Sequence, residues 1–231
     1  MLSINRLHIK EVAAALRTLG QPFVFVGGAT VELYADSFHA PEGRPTDDVD
    51  VVVKLTSYGG YGELTEQLIT LGFNPDATSK VICRYRLRSI VVDVMPTQPD
   101  VLGFSNRWYP EGFRAAFEYR LDEETTVLLF TPPYFIASKL EAFAQRGGTD
   151  FRTSTDFEDI VYVLDNCPNL LERLQEGSAE VLIYLKEKFN ILLCHQDIYE
   201  GIYGHLEPRF ADQKTRRILE MLTRYTQAGS S

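Results

Sequence analysis

Asp48 and Asp50 stand two apart at the head of the run Asp48-Val49-Asp50-Val51-Val52-Val53. Side chains alternate along a strand, so both carboxylates fall on one face while Val49, Val51 and Val53 point to the other. Like charges so placed repel each other and cost stability unless something cationic holds them. A pair of this kind suits a hard divalent cation, and Mg2+ binds through few carboxylates plus substrate phosphates. The plainer alternative is an acidic loop edge. Asp93 is the one charged residue in the apolar run 90–95. A carboxylate in that setting must be compensated, by a shared metal or by an arginine. Upstream, the apolar run 23–26 ends at Gly27-Gly28 and leads into a helix-like segment. Glycines at such a turn let backbone N–H groups approach a phosphate. A tight strand-to-helix turn without a ligand explains them equally well.

The second half carries another set. Lys139 and Arg146 are seven apart, with Phe143 between them, and share one face of a helical pattern. Asp156 and Asp159 follow at a spacing of three. An interhelical salt-bridge cluster accounts for these four residues without any substrate.

As a set, the glycine turn after a strand, the acid–apolar–acid pair on the next strand and a lone aspartate on a later one resemble the polymerase-β nucleotidyltransferase superfamily. The K-x6-R segment followed by Asp156-Phe157-Glu158-Asp159-Ile160 resembles its AbiEii-type toxin branch. The resemblance implies a metal-dependent enzyme that transfers a nucleoside monophosphate from an NTP to an acceptor. It implies Asp48, Asp50 and Asp93 as Mg2+ ligands, with Asp93 as general base. It implies Gly27, Gly28, Thr30, Lys139 and Arg146 as nucleotide-binding residues, and a catalytic part for Lys139 and Asp156. Acceptors such as the tRNA 3′ end or a protein side chain, and a cognate antitoxin, follow from the resemblance alone. Rival readings are transfer to an antibiotic-like small molecule and a non-catalytic nucleotide-binding or interaction module. Asp48 comes twenty positions after Gly28, more than compact superfamily members use, so an insertion around residues 38–44 is expected.

The elements that must position these groups can be read from periodicity. Helical spacing over residues 9–19 ends at Gly20 and Pro22. Strands are expected at 23–26, 49–55, 81–87, 90–95 and 127–130, and helices at 29–34 and 64–71. Residues 58–62, rich in Gly and Tyr, read as irregular, and 97–124 gives no clear pattern. A hairpin through Arg88-Ser89 would set Arg84 opposite Asp93, although a one-residue slip would reverse its face. The favoured reading of Arg84, Arg86 and Arg88 is a solvated basic edge. Past residue 132 only helical patterns remain, at 134–145, 156–164, 179–189 and 213–225. The expectation is an α+β fold: a small twisted mixed sheet with flanking helices over residues 1–131, then a helical domain over 132–231.

Composition sets the outer limits. With 231 residues, 45% hydrophobic and 24% charged, the chain suits a soluble globular protein with a sizeable core. No apolar run reaches the ~18–20 residues of a membrane span, no signal peptide is evident, and a cytoplasmic location is expected. Cys83, Cys167 and Cys194 lack C-x-x-C spacing, which speaks for reduced, mostly buried thiols. The four histidines show no ligand spacing. A net charge of −9 argues against a grip on long duplex DNA. Between Pro208 and Arg224 five basic residues face only Asp212 and Glu220, which reads foremost as a solvated helix surface.

Overall fold

The computed structural model describes residues 2–35, 40–55 and 57–228. It divides into two compact units, Met1–Thr30 with Glu42–Phe130, and Val31–Pro41 with Thr131–Ser231. Of the insertion expected over 38–44, residues 38 and 39 lie outside the described set; the unit boundary falls within it, with Pro41 in the helical unit and Glu42 in the first.

The first unit is built on a mixed sheet. Among the described residues its strands are β1 (Phe23–Val26), β2 (Asp48–Val53), β3 (Phe73–Pro75), β4 (Arg84–Leu87), β5 (Ile90–Pro96), β6 (Phe117–Arg120) and β7 (Thr126–Leu129), in the order β3-β4-β5-β2-β1-β7-β6. β2 runs parallel to β5, and β1 parallel to β7, while the other neighbours are antiparallel. The apolar run of β1 is buried at every position because strands flank it on both sides.

Helix α1 (Ile4–Leu16) starts at Ser3, whose hydroxyl accepts from the Arg6 N–H at 3.2 Å, and the following turn closes at Gly20 in the left-handed region. Ile9, Val12 and Leu16 form its buried stripe. Ala13 and Leu16 line one cavity with Phe23 and Phe25, so α1 covers the face of β1 that carries the two phenylalanines. Asn5, buried on the same helix, holds the entry to β2. Its amide donates to the Arg44 carbonyl at 2.9 Å, and its oxygen accepts from the Thr46 N–H at 3.1 Å. The Thr46 hydroxyl in turn donates to the Asp48 carbonyl at 3.0 Å.

Two expectations are corrected here. Residues 58–62 are not irregular: they open helix α2 (Tyr58–Thr70), capped by the Ser57 hydroxyl accepting from Gly60 N–H. Tyr61 drives this, packing with Cys83 and Val101 and donating its hydroxyl to the Val94 carbonyl. Packing outweighs the low helix propensity of three nearby glycines, roughly 1 kcal/mol each. The strand expected over 81–87 begins only at Arg84, because the Arg84 N–H bonds back to the Val81 carbonyl in a turn. The stretch 97–124 holds two short helices, α3 (Pro99–Leu102) and α4 (Tyr109–Arg114), and then β6. Trp108, just before α4, is buried.

The second unit is helical: α5 (Pro132–Gln145), α6 (Thr155–Asn166), α7 (Leu170–Arg173), α8 (Ala179–Leu193), α9 (Ile198–Gly204) and α10 (Ala211–Gln227). α5 starts two residues before its apolar pattern because Pro132 suits the first helical position, where no N–H is needed. Phe143, Phe151 and Phe157 form an aromatic cluster with ring centroids 4.9–5.5 Å apart. Phe189 of α8 meets Tyr225 of α10 edge-on at 5.5 Å. Tyr34 packs on Phe135 at 4.6 Å, and the Tyr162 hydroxyl donates to the Pro41 carbonyl at 2.5 Å. Those two contacts tie Val31–Pro41 into this unit. On α10, Lys214 and Arg217 both pair with Asp165, and Arg216 with Asp212. Cys83 and Cys167 are buried free thiols, and Cys194 is exposed.

Asn5→Ala should leave the Thr46 N–H and the Arg44 carbonyl without that partner, at a cost of about 1–3 kcal/mol. Chemical denaturation of the purified variant measures it, and an unchanged midpoint would show that the entry to β2 is held elsewhere.

Candidate active site

Register brings the three aspartates together. Asp48 and Asp50 alternate with buried Val49 and Val51 on β2. β2 lies beside β5 with Asp50 level with Asp93, so the two carboxylates point to one face of adjacent strands. One carboxylate oxygen from each of Asp48, Asp50 and Asp93 lies within 4.8 Å of the others. On the other side of β2, Val26 is level with Asp50, which puts Val24 and Val26 on the carboxylate face and Phe23 and Phe25 on the face under α1.

β1 leaves the sheet at Gly27, and the structure gives this glycine a steric reason. Its φ is +75°, and a Cβ there would lie 1.9 Å from Asp50 Oδ2. No side chain fits behind the Asp50 carboxylate, and the backbone needs the left-handed region as well. Gly28 is buried and opens a seven-residue 3₁₀ helix, Gly28–Tyr34, where an α-helix had been expected from 29. Thr30 is fully buried, and its hydroxyl donates to the Gly27 carbonyl at 2.9 Å. That bond fastens the turn below Asp50.

Arg84 has the register expected from a hairpin through Arg88-Ser89, but it does not lie on the favoured solvated basic edge. It lies opposite Asp93 in the β4–β5 hairpin, whose two-residue loop passes through Arg88 at φ 55°. Its strand is no edge, since β3 covers the outer side of β4. The Arg84 Nε donates to Asp93 Oδ1 at 2.8 Å and its Nη2 to Asp93 Oδ2 at 2.7 Å, a bidentate fork. The same Nη2 reaches Asp48 Oδ2 at 3.1 Å. The hydrogen bond to Asp93 raises the affinity of the guanidinium for its proton, with the charges of Asp93, Asp48 and Asp50 adding to it. Arg86 and Arg88 are used structurally, on Asp76 and Glu11. The basic-edge reading gave too little weight to the rule that a buried carboxylate such as Asp93 needs a partner. Next to it, burial pushes the Cys83 thiol up to about 12, with the Asp93 and Asp50 charges reinforcing the shift. A thiol so held stays neutral at neutral pH and is a poor nucleophile.

In the helical unit, α5 and α6 bring the other four predicted residues into one cluster. Lys139 Nζ lies 3.2 Å from Asp156 Oδ1 and 2.6 Å from Asp159 Oδ2, and Arg146 pairs with the second Asp156 oxygen. Asp156 and Asp159 are buried, and the Lys139 side chain is 12% exposed. Arg146 differs, with 69% of its side chain in solvent. The interhelical salt-bridge geometry weighed at the outset is therefore present. It leaves the exposed guanidinium of Arg146 as the member most open to an anionic ligand.

Gly27→Ala tests the carboxylate cluster. The new methyl would force the Asp50 side chain out of place, and the left-handed backbone would add about 1–2 kcal/mol of strain. A folded variant is expected with a lowered melting temperature and without any activity that depends on the Asp50 carboxylate. Full activity in such a variant would show that Asp50 is not constrained by this turn.

The profile of the family described as nucleotidyl transferase AbiEii toxin, type IV toxin–antitoxin system, matches residues 12–230. No curated protein matches the chain. Among solved structures, the antibiotic-resistance factor ANT(2'')-Ia is similar at a TM-score of 0.52 and 15% identity, over 83% of this chain and 96% of that one. JHP933 from Helicobacter pylori matches at 0.50 and 12% identity, over 98% and 94%. An antigenic nucleotidyltransferase-like protein from Paracoccidioides brasiliensis matches at 0.49 and 20% identity, over 87% and 92%. At these identities the likenesses to ANT(2'')-Ia and JHP933 speak for the fold alone, whereas the family profile spans nearly the whole sequence. On that match the chain belongs to the AbiEii nucleotidyltransferase family, and the protein is a nucleotidyltransferase.

Proposed function

We propose that the protein transfers a nucleoside monophosphate from an NTP to an acceptor hydroxyl, using Mg2+ held by Asp48, Asp50 and Asp93. The observation that carries this reading is the convergence of three carboxylates from two adjacent strands within 4.8 Å. The donor set fits the ion: all oxygen, anionic and on a partly open face that leaves room for phosphate ligands. When bound, Mg2+ would supply positive charge to the triphosphate, the leaving pyrophosphate and the acceptor oxygen.

The chain's own residues do the rest. Asp48 and Asp50 hold the ion from β2, and Asp93 does so from β5. Asp93 is also proposed to take the acceptor's proton as the new oxygen–phosphorus bond forms. The bond from the α-phosphorus to the bridging oxygen breaks, and pyrophosphate leaves. Gly27, Gly28 and Thr30 shape the turn beside Asp50 and are proposed to receive the triphosphate. Family resemblance adds Lys139 and Arg146 as phosphate contacts, with Asp156 orienting both cations. The family description supports a toxin with a cognate antitoxin, and the acceptor proposed here is a macromolecule such as the tRNA 3′ end or a protein side chain. The net charge of −9 favours a second reading, transfer to a small molecule.

Incubation with each labelled NTP, Mg2+ and either total RNA, total protein or a panel of hydroxylated antibiotics separates the two. Label should enter one macromolecular fraction. Pyrophosphate release only with small molecules would shift the assignment to the second reading. Asp50→Asn should lower transfer by at least 10²-fold, on the order of 2.7 kcal/mol of barrier, in a protein that still melts cooperatively. Retained transfer in that variant would end the metal mechanism.

Lys139→Ala separates the phosphate role from the structural one. A phosphate contact predicts a raised KM for NTP. A purely structural cluster predicts a loss of about 3–5 kcal/mol in stability, from breaking the buried Lys139–Asp159 and Lys139–Asp156 pairs, with KM unmoved. The expected result is both effects together, and Lys139→Arg should restore stability more than KM.

A further inference from the structure

We propose that Arg84 is a resident counter-ion of the carboxylate cluster, holding Asp93 and Asp48 until a divalent cation displaces its guanidinium from them. The inference rests on the reading of Asp48, Asp50 and Asp93 as a divalent-ion site.

Both Asp93 oxygens already accept an N–H from Arg84, at 2.8 and 2.7 Å. The nitrogen that binds Asp93 Oδ2 also binds Asp48 Oδ2 at 3.1 Å. One guanidinium thus bridges two of the three carboxylates that would ligate the ion. It is fixed there from the directly opposite position on β4, and the Asp93 side chain is only 10% exposed. A dication ligated by Asp48 and Asp93 would meet a second cation on the same oxygens, in surroundings that screen charge poorly.

The two cations therefore compete. Without nucleotide, the guanidinium compensates the desolvated carboxylates and keeps the apo site folded. The apparent affinity for a bare ion is reduced by the fraction of molecules in which Arg84 has let go. A nucleotide brings its own phosphates, which are both additional ligands for the ion and an alternative acceptor for the displaced guanidinium. Loading with metal and nucleotide together is then favoured over loading with metal alone. A simple strut would behave in the opposite way, because an arginine that only positions Asp93 would improve the metal site, and its removal would weaken binding.

The test is Mn2+ affinity of the full chain without nucleotide, read from the electron paramagnetic resonance of the free ion. Arg84→Met should bind Mn2+ at least tenfold more tightly than the wild type, ~1.4 kcal/mol, and its metal-free form should melt at a lower temperature. Arg84→Lys keeps the charge without the fork and should fall between the two. Should Arg84→Met not fold, the wild type still decides the matter. Its Arg84 Nε–H nuclear magnetic resonance signal, assigned by its loss in Arg84→Lys, should shift and lose protection from exchange as Mg2+ is added. Unchanged or weaker Mn2+ binding in the variants, or an unmoved signal at saturating Mg2+, would overturn the proposal. If the wild type binds no divalent cation even with NTP present, the metal reading itself falls, and this inference with it.

Discussion

Three carboxylates on one sheet face repel one another, and much of the first unit can be read as the means of keeping them there. The register between β2 and β5 sets Asp50 level with Asp93, and a slip of one residue would turn one of them into the apolar layer. Backbone hydrogen bonds on both sides of β2 hold that register, and the buried valines between the acids make any slip costly. The supports reach further than the strands themselves. Asn5 fastens the backbone just before Asp48, Thr30 fastens the turn below Asp50, and Gly27 is absent a side chain because the Asp50 carboxylate occupies that space. Arg84 supplies the compensating charge. The arrangement is electrostatically unfavourable in itself and is kept by geometry.

What could be read from the chain follows the range of the interactions involved. Alternation is local, so Asp48 and Asp50 on one face were visible in six consecutive residues. The hairpin at Arg88-Ser89 is equally local, and the expected pairing of Arg84 with Asp93 matches the observed register. The edge assignment for β4 failed for a non-local reason. Its outer neighbour β3 is three residues long and contains Pro75, too short for any periodicity to register. Residues 58–62 misled in another way, because glycine content signals local flexibility while the helix is enforced by the burial of Tyr61. The opaque stretch 97–124 breaks into elements of four to six residues, each dependent on tertiary support. The sheet with flanking helices and the helical second half were legible because their longer elements carry clear patterns. The parallel neighbours of the sheet were not, since parallel pairing joins segments far apart in the chain.

The two charged clusters differ in physical character. On the sheet, acids dominate and one arginine partly offsets them. In the helical unit, Lys139 lies between two buried aspartates at ion-pair distance, so those charges are largely satisfied internally. A net-attractive cluster can persist without ligand and stabilise its helices. A net-repulsive one gains from whatever cation arrives.

The segment Val31–Pro41 has a consequence for how the protein is made. It leaves the sheet unit directly after Thr30, belongs to the helical unit, and returns at Glu42 shortly before Asp48. During synthesis this segment emerges from the ribosome long before α5 and α6, which supply Phe135 and Tyr162, the residues that anchor Tyr34 and Pro41. Until α5 and α6 have been made, Tyr34 and Pro41 lack those two contacts. Such late, long-range closure makes folding slower than local helix formation.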